Sequence, residues 1–267
     1  MVDVPTFMVG MPQSGKTWRS FRLFEAHPGP AIFADIQYRA GHYLESPQLV
    51  DSVPAILRVL RDWDAKDPPP KLVWRLDTYA ELPGLVEPLW RTHKERHVQN
   101  EWLPKMAVFL DEISLTARPY ATLDDPAVRL FTQCYQHDII PVGITQRPAM
   151  TSRNLLGAAW DLYLFAMTPA DMETVRAIHR LDLPEPGWIG DPREHHYFAY
   201  RTGQFWKGDA EGVELAMPVL REPVEPPLSQ DEEPGDRARD ESVKPGADLH
   251  EPQGQGPPRP SEDIHHG

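Results

Sequence analysis

The sequence of 267 residues contains a single cysteine, Cys134. That excludes an intramolecular disulfide framework and any metal site built on paired thiolates. No apolar run approaches the roughly 18 to 20 residues that cross a bilayer, and the N-terminus enters an apolar strand pattern without a basic segment of the secretory kind. A cytoplasmic protein without a transmembrane segment of its own is expected. Positive charge is scarce as well: 27 Lys and Arg stand against 40 Asp and Glu, a formal net charge of −13. The deficit is concentrated at one end. From Glu222 to Gly267 there are twelve acidic and four basic residues, a net of −8, which leaves −5 for everything before. A polyanionic partner is therefore not excluded, because the distribution of charge matters more than its sum.

The same end holds nine of the 30 prolines and almost no large apolar side chains. Such a segment cannot offset the entropy lost on ordering. The expected organisation is one globular domain over residues 1–217 and a Pro-rich, acidic, disordered tail over residues 218–267.

Within the domain, short apolar runs alternate with helical patterns. PTFMVG, PAIFADI, KLVWRLD, KMAVFLDE, IIPVGITQ and DLYLFAM read as buried strands. GKTWRSFRLFEAH, SVPAILRVLRDWDAK, the stretch from Tyr79 to Asn100, DPAVRLFTQCYQH and TPADMETVRAIHRL read as helices, the last with Thr168 as N-cap. KMAVFLDE is apolar throughout, which suits a central strand covered on both faces. HHYFAYRTGQFWKG reads as a hairpin turning at Thr202 and Gly203. This alternation predicts an α/β fold with a mostly parallel sheet and helices on both faces.

Between the first strand and the first helix lies Gly10-Met11-Pro12-Gln13-Ser14-Gly15-Lys16-Thr17, a match to G-x-x-x-x-G-K-[ST] in the context that the motif requires. The glycines let the backbone curl so that successive N–H groups, aided by the helix N-terminus, face phosphate oxygens. Lys16 would reach the β- and γ-phosphates of ATP, and the Thr17 hydroxyl would ligate Mg²⁺, with Trp18 next in line as a nucleotide contact. A metal of this kind also needs a carboxylate at the tip of a neighbouring strand, and Asp111 in AVFLDEIS provides one. Glu112 directly follows and can orient or deprotonate a water for attack on the γ-phosphate, which favours hydrolysis over transfer. Gln146, at the end of GITQRP, is expected at the same sheet edge, where a neutral amide can register the γ-phosphate or its water.

Together GMPQSGKT, FLDE and ITQRP, with the strand DLYLF following, resemble the FtsK and HerA class of P-loop ATPases over about Val4 to Leu181. The resemblance implies ring-forming DNA pumps in which Lys16, Thr17, Asp111, Glu112 and Gln146 bind and hydrolyse ATP. The compact body is most similar to genome-packaging ATPases of tailless, membrane-containing viruses. That implies a homo-oligomeric ring, a hexamer, acting on double-stranded DNA in the host cytoplasm or in association with the virion. A capsid vertex or inner membrane protein is then a candidate partner. One departure stands out: many members of the class have an arginine just before the TQRP strand that acts on the neighbouring subunit's ATP, whereas this sequence has Tyr135, Gln136 and His137. A trans-acting arginine must come from elsewhere, with Arg147 and Arg153 ahead of Arg129 by position.

Two segments are candidates for gripping DNA: the basic patch WRTHKERHVQ, with Arg91, Lys94 and Arg96 around His93 and His97, and the loop TARPYATLDD, with Arg118 and Tyr120. Either can equally be a solvated surface. His195, His196, His265 and His266 lack metal-ligand spacing with other donors. The alternatives left open are a filamentous-phage-type assembly ATPase, a small-molecule kinase using the same loop, and a nucleotide-dependent switch.

Overall fold

The structure is a computed structural model and describes residues 2–99, 104–181, 183, 194–201, 204–209 and 211–217. The expected tail, the hairpin turn at Thr202 and Gly203, and the end of the long helix at Asn100 lie outside the described residues, as do His265 and His266.

Ten strands form one sheet in the order β10-β9-β8-β7-β1-β6-β5-β2-β4-β3. The parallel part comprises β1 (Thr6–Val9), β2 (Ala31–Asp35), β3 (Gln48–Val50), β4 (Lys71–Arg75), β5 (Met106–Leu110), β6 (Ile139–Thr145) and β7 (Asp161–Phe165). Strands β8 (Tyr197–Arg201), β9 (Gln204–Gly208) and β10 (Glu214–Ala216) extend one edge in antiparallel sense. The helices are α1 (Lys16–Ala26), α2 (Ala40–Tyr43), α3 (Val53–Asp62), α4 (Leu82–Val98), α5 (Pro126–Thr132), α6 (Arg153–Gly157) and α7 (Pro169–His179). The parallel α/β reading holds, and Thr168 caps α7 by accepting the Asp171 N–H. The helix expected over DPAVRLFTQCYQH is shorter: α5 ends at Thr132, and residues Cys134–His137 form a 3-10 turn closed by Asp138 at φ 61°. Four elements, α2, α6, β3 and β10, have no counterpart in the expected pattern.

Because side chains alternate along a strand, each central strand feeds both faces of the sheet. Phe7, Val9, Ile32, Ala34, Val108 and Leu110 point into the layer formed by α3 to α7, whereas Met8, Phe33, Ala107 and Phe109 face α1 and α2. Buried rings fix α1 on its side: Phe21 stacks on Phe33 at 4.1 Å, Phe33 on Phe109 at 5.6 Å, and Phe24 meets both edge-on. Truncating any one of these phenylalanines should cost about 3 to 5 kcal/mol. The packing has a functional consequence, since α1 carries the phosphate-loop lysine in its first turn. From β1 the chain crosses to β2 beyond β6 and β5, while from β6 it returns to β7 on the other side. That reversal opens a crevice at the C-terminal ends of β1, β6 and β5, the place where open α/β sheets bind ligands.

Candidate nucleotide-binding site

The loop after β1 is built by two backbone anchors and two left-handed residues. Gly10 N–H donates to the Thr145 carbonyl at 3.3 Å and Met11 N–H to the Ala166 carbonyl at 2.7 Å, so the loop starts pinned to β6 and to the end of β7. Gln13 (φ 63°) and Gly15 (φ 97°) then reverse the chain into α1. Gly10 has no room for a side chain, because a Cβ there would lie 2.6 Å from the Phe165 Cβ and 2.9 Å from Ser14 Oγ. Gly15 is closed by both its φ and its neighbour, His195, whose Cβ would be 2.8 Å away. Lys16 is 5% exposed and donates from Nζ to the Met11 carbonyl at 2.7 Å, bridging back across the loop. Thr17 and Trp18 follow in the first turn of α1, half-buried, and the Arg22 guanidinium covers the Trp18 ring at 5.5 Å.

The acidic pair emerges beside this loop. Asp111 N–H donates to the Ala34 carbonyl at 3.2 Å, which continues the β2–β5 pairing one step past Leu110. Asp111 is 2% exposed, and the Tyr79 hydroxyl donates to its main-chain carbonyl. Glu112 takes φ 47° and ψ 54°, a left-handed conformation that costs about 1 to 3 kcal/mol in a residue other than glycine and concentrates at functional sites. Its Oε1 accepts from Ser114 Oγ at 2.8 Å, from the Gln146 N–H at 3.3 Å and from Thr145 Oγ1 at 3.5 Å. Gln146 thus stands against Glu112 through its main chain, at the edge expected from the sequence. Arg147 and Arg153 are exposed on the segment that follows, whose Ser152 N–H donates to the Ala117 carbonyl.

The crevice gathers buried titratable groups of both signs. Burial pushes the Asp111 carboxyl up to about 7, with the nearby Asp35 and Glu112 charges adding to the effect. Burial lowers the Lys16 ammonium to about 8, against the opposing pull of Glu112 and Asp111. Tyr79 is held well above its usual value by burial and by Asp111 and Glu112. Ser14 Oγ in the loop and Asp111 Oδ2 at the strand tip are buried and have no partner among the described residues. A hard divalent cation takes oxygen ligands and keeps several of its waters. The Thr17 hydroxyl and the orphaned Asp111 carboxylate oxygen fit Mg²⁺ in that sense, with phosphate oxygens completing the set.

Three further residues belong to this constellation although the motifs do not include them. Asp35 ends β2 with no exposure and accepts the N–H groups of Arg39 at 3.0 Å and Ala40 at 2.8 Å. Tyr79 reaches the Asp111 carbonyl through its hydroxyl, and Arg39 follows Asp35 on the segment that leaves β2. The sequence signal available was an aspartate ending a strand four and five residues before a helix start, which reads as an ordinary cap. Other candidates are drawn away from the site. Arg129 pairs with Glu87 at 2.5 Å and lies over the Trp90 ring, so it is held within its own chain. Helix α4 carries Arg91, paired with Glu87 at 3.2 Å, Lys94 over the Trp90 ring at 4.6 Å, and buried His93, bonded to the His137 carbonyl. Its last turns line a groove with Pro104 and Met106, beside the N-terminal end of β5 and thus opposite the phosphate loop. Arg118 and Tyr120 are exposed on the loop after Glu112, Tyr120 at 93%.

A parallel α/β sheet with this loop after β1 and an acidic pair ending the nearby β5 defines the P-loop NTPase fold. Solved structures agree at low identity. The chain is similar to the genome packaging NTPase B204 from Sulfolobus turreted icosahedral virus 2 in complex with ATP-gammaS, with a TM-score of 0.53 and 13% identity over 82% of this chain and 98% of that one. The same NTPase in complex with sulfate gives a TM-score of 0.51. ATPases 2 and 3 of EssC from Geobacillus thermodenitrificans match at 0.50 with 12% identity, over 80% of this chain and 39% of that chain. At such identities the likeness is one of fold. No family model and no curated protein matches the sequence.

Proposed function

We propose that this chain is a DNA-translocating ATPase that packages a double-stranded viral genome into a capsid. The observation that carries the reading is the convergence of Lys16, Thr17, Asp111 and Glu112 on one crevice, with Glu112 in a strained conformation between the metal carboxylate and Gln146. Bound Mg²⁺, held by Thr17 and Asp111, would screen the charge of the phosphates. Lys16, close above the loop, leaves the Met11 carbonyl for the β- and γ-phosphate oxygens. The Glu112 carboxylate takes the proton of a water as the water oxygen attacks the γ-phosphorus. The bond to the β-phosphate oxygen breaks, and ADP and inorganic phosphate leave. Gln146 is placed to contact that water.

Packaging is favoured by the fold shared with B204 over nearly the whole of that chain. Among the described residues no helix is long and apolar enough to cross a membrane. The exposed surface beside the site, with Arg118, Tyr120, Met150, Arg147 and Arg153, suits a ring. Arg147 and Arg153 are the arginines a neighbouring subunit would meet, and Arg118 with Tyr120 is the better DNA contact, because the basic helix α4 lies at the far end of the sheet. A hexameric ring acting in the host cytoplasm or at the virion, docked on a capsid vertex or inner membrane protein, completes the reading. Displacement of a third strand from linear duplex DNA tests it. ATP-dependent displacement by the wild-type protein and none by Lys16→Ala is expected; ATP hydrolysis without displacement at any DNA length contradicts translocation.

A further inference from the structure

We propose that Arg39 is a further catalytic residue, contacting the γ-phosphate from within the same chain. The inference rests on reading the site as an ATPase. The segment after β2 is organised around this one residue. Asp35 is fully buried, and both its carboxylate oxygens are engaged by main-chain N–H groups, those of Arg39 and Ala40. Tyr38, immediately before, sits at φ 54°, which is rare for a bulky side chain, and is held there by its hydroxyl bond to Asp77 Oδ1 at 2.6 Å. Strain of this kind persists only where the surroundings over-determine it, and it clusters at ligand clamps and active sites.

The place to which Arg39 is delivered is specific. Strand β2 pairs directly with β5, Ala34 opposite Leu110, so Asp35 and Asp111 are the adjacent tips of neighbouring strands. The Arg39 side chain is exposed and makes no hydrogen bond or ion pair among the described residues. A guanidinium without a partner among the described residues, on the segment that leaves the strand tip next to Asp111, can reach over that edge toward a bound phosphate. In phosphoryl transfer the negative charge spreads over the γ-oxygens, and a planar fork of donors stabilises that charge more than it stabilises bound ATP. No proton moves to or from Arg39, since its charge is permanent.

Four proteins test the assignment: wild type, Lys16→Ala, Arg39→Ala and Arg39→Lys, each measured for phosphate release and for binding of a fluorescent ATP analogue. Arg39→Ala should lower kcat about 100-fold or more, with nucleotide Kd changed less than about threefold, and Arg39→Lys should recover part of the loss. Mixing Arg39→Ala with Lys16→Ala should restore no turnover, because neither chain then has a complete site. An Arg39→Ala kcat within about threefold of wild type overturns the assignment. So does recovery on mixing, which would place the arginine on a neighbour's ATP. Absence of wild-type turnover would instead overturn the ATPase reading, and this inference with it.

Discussion

Replacing Glu112 by Gln changes one property of the site and leaves its shape. The Glu112 Oε1 accepts from Ser114 Oγ, the Gln146 N–H and Thr145 Oγ1, and an amide oxygen can accept the same three bonds. The left-handed backbone at 112 is no worse for glutamine than for glutamate, so folding stability should stay within about 0.5 kcal/mol. What disappears is the base. General-base catalysis contributes about 10²- to 10⁴-fold, so kcat should fall by that factor, or ~3 to 5 kcal/mol of transition-state stabilisation. Ground-state binding should move the other way. The substitution removes a negative charge that raises the Asp111 carboxyl, and it removes one repulsion from the incoming phosphates. The assay is phosphate release alongside retention of labelled ATP after rapid gel filtration. Expected is a protein that holds ATP uncleaved. Turnover within about fivefold of wild type would refute the assignment of Glu112 as base.

Gly143 faces Phe7 across β6 and β1, and a Cβ there would lie 2.7 Å from the Phe7 ring, which is itself packed 5.1 Å from Phe131. Gly143→Ala should destabilise by about 1 to 3 kcal/mol, read as a lower denaturant midpoint with an unchanged slope; no shift would contradict the packing of this layer. Burial at the end of α7 lowers the His179 imidazole to about 4 and leaves its Nε2 without a partner among the described residues. The native state keeps it neutral while the unfolded chain protonates near 6.5. Its share of stability is therefore intact above about pH 6.5 and is lost as pH falls toward 4, with an upper bound of ~3 kcal/mol that partial exposure reduces. Denaturation of wild type and His179→Gln across pH 7 to 4 should show a shallower loss in the variant, and parallel curves would contradict the reading.

The elements legible in the sequence are those that carry their own signal. Continuous apolar runs gave the central strands because they are covered on both faces, and the phosphate loop is a local motif whose residues act within one turn of chain. Strands β3 and β10 were not legible. Each has three residues, and Leu49 and Leu215 are exposed, so pairing with a neighbour defines them and no apolar pattern does. The same limit applies to the site. Lys16, Asp111 and Glu112 follow from motifs, whereas Asp35, and with it the segment proposed to carry Arg39 to the site, lies beside them only because β2 pairs with β5, a tertiary fact. Arg129 shows the converse: as a sequence position it was a candidate for a neighbour's nucleotide, and a partner 42 residues away holds it in place.

The most direct measurement is steady-state phosphate release from ATP by the purified protein, with and without linear double-stranded DNA. The account predicts Mg²⁺-dependent turnover that rises several-fold with DNA and vanishes in Lys16→Ala. Tight ATP binding with no phosphate release, with or without DNA, would contradict it.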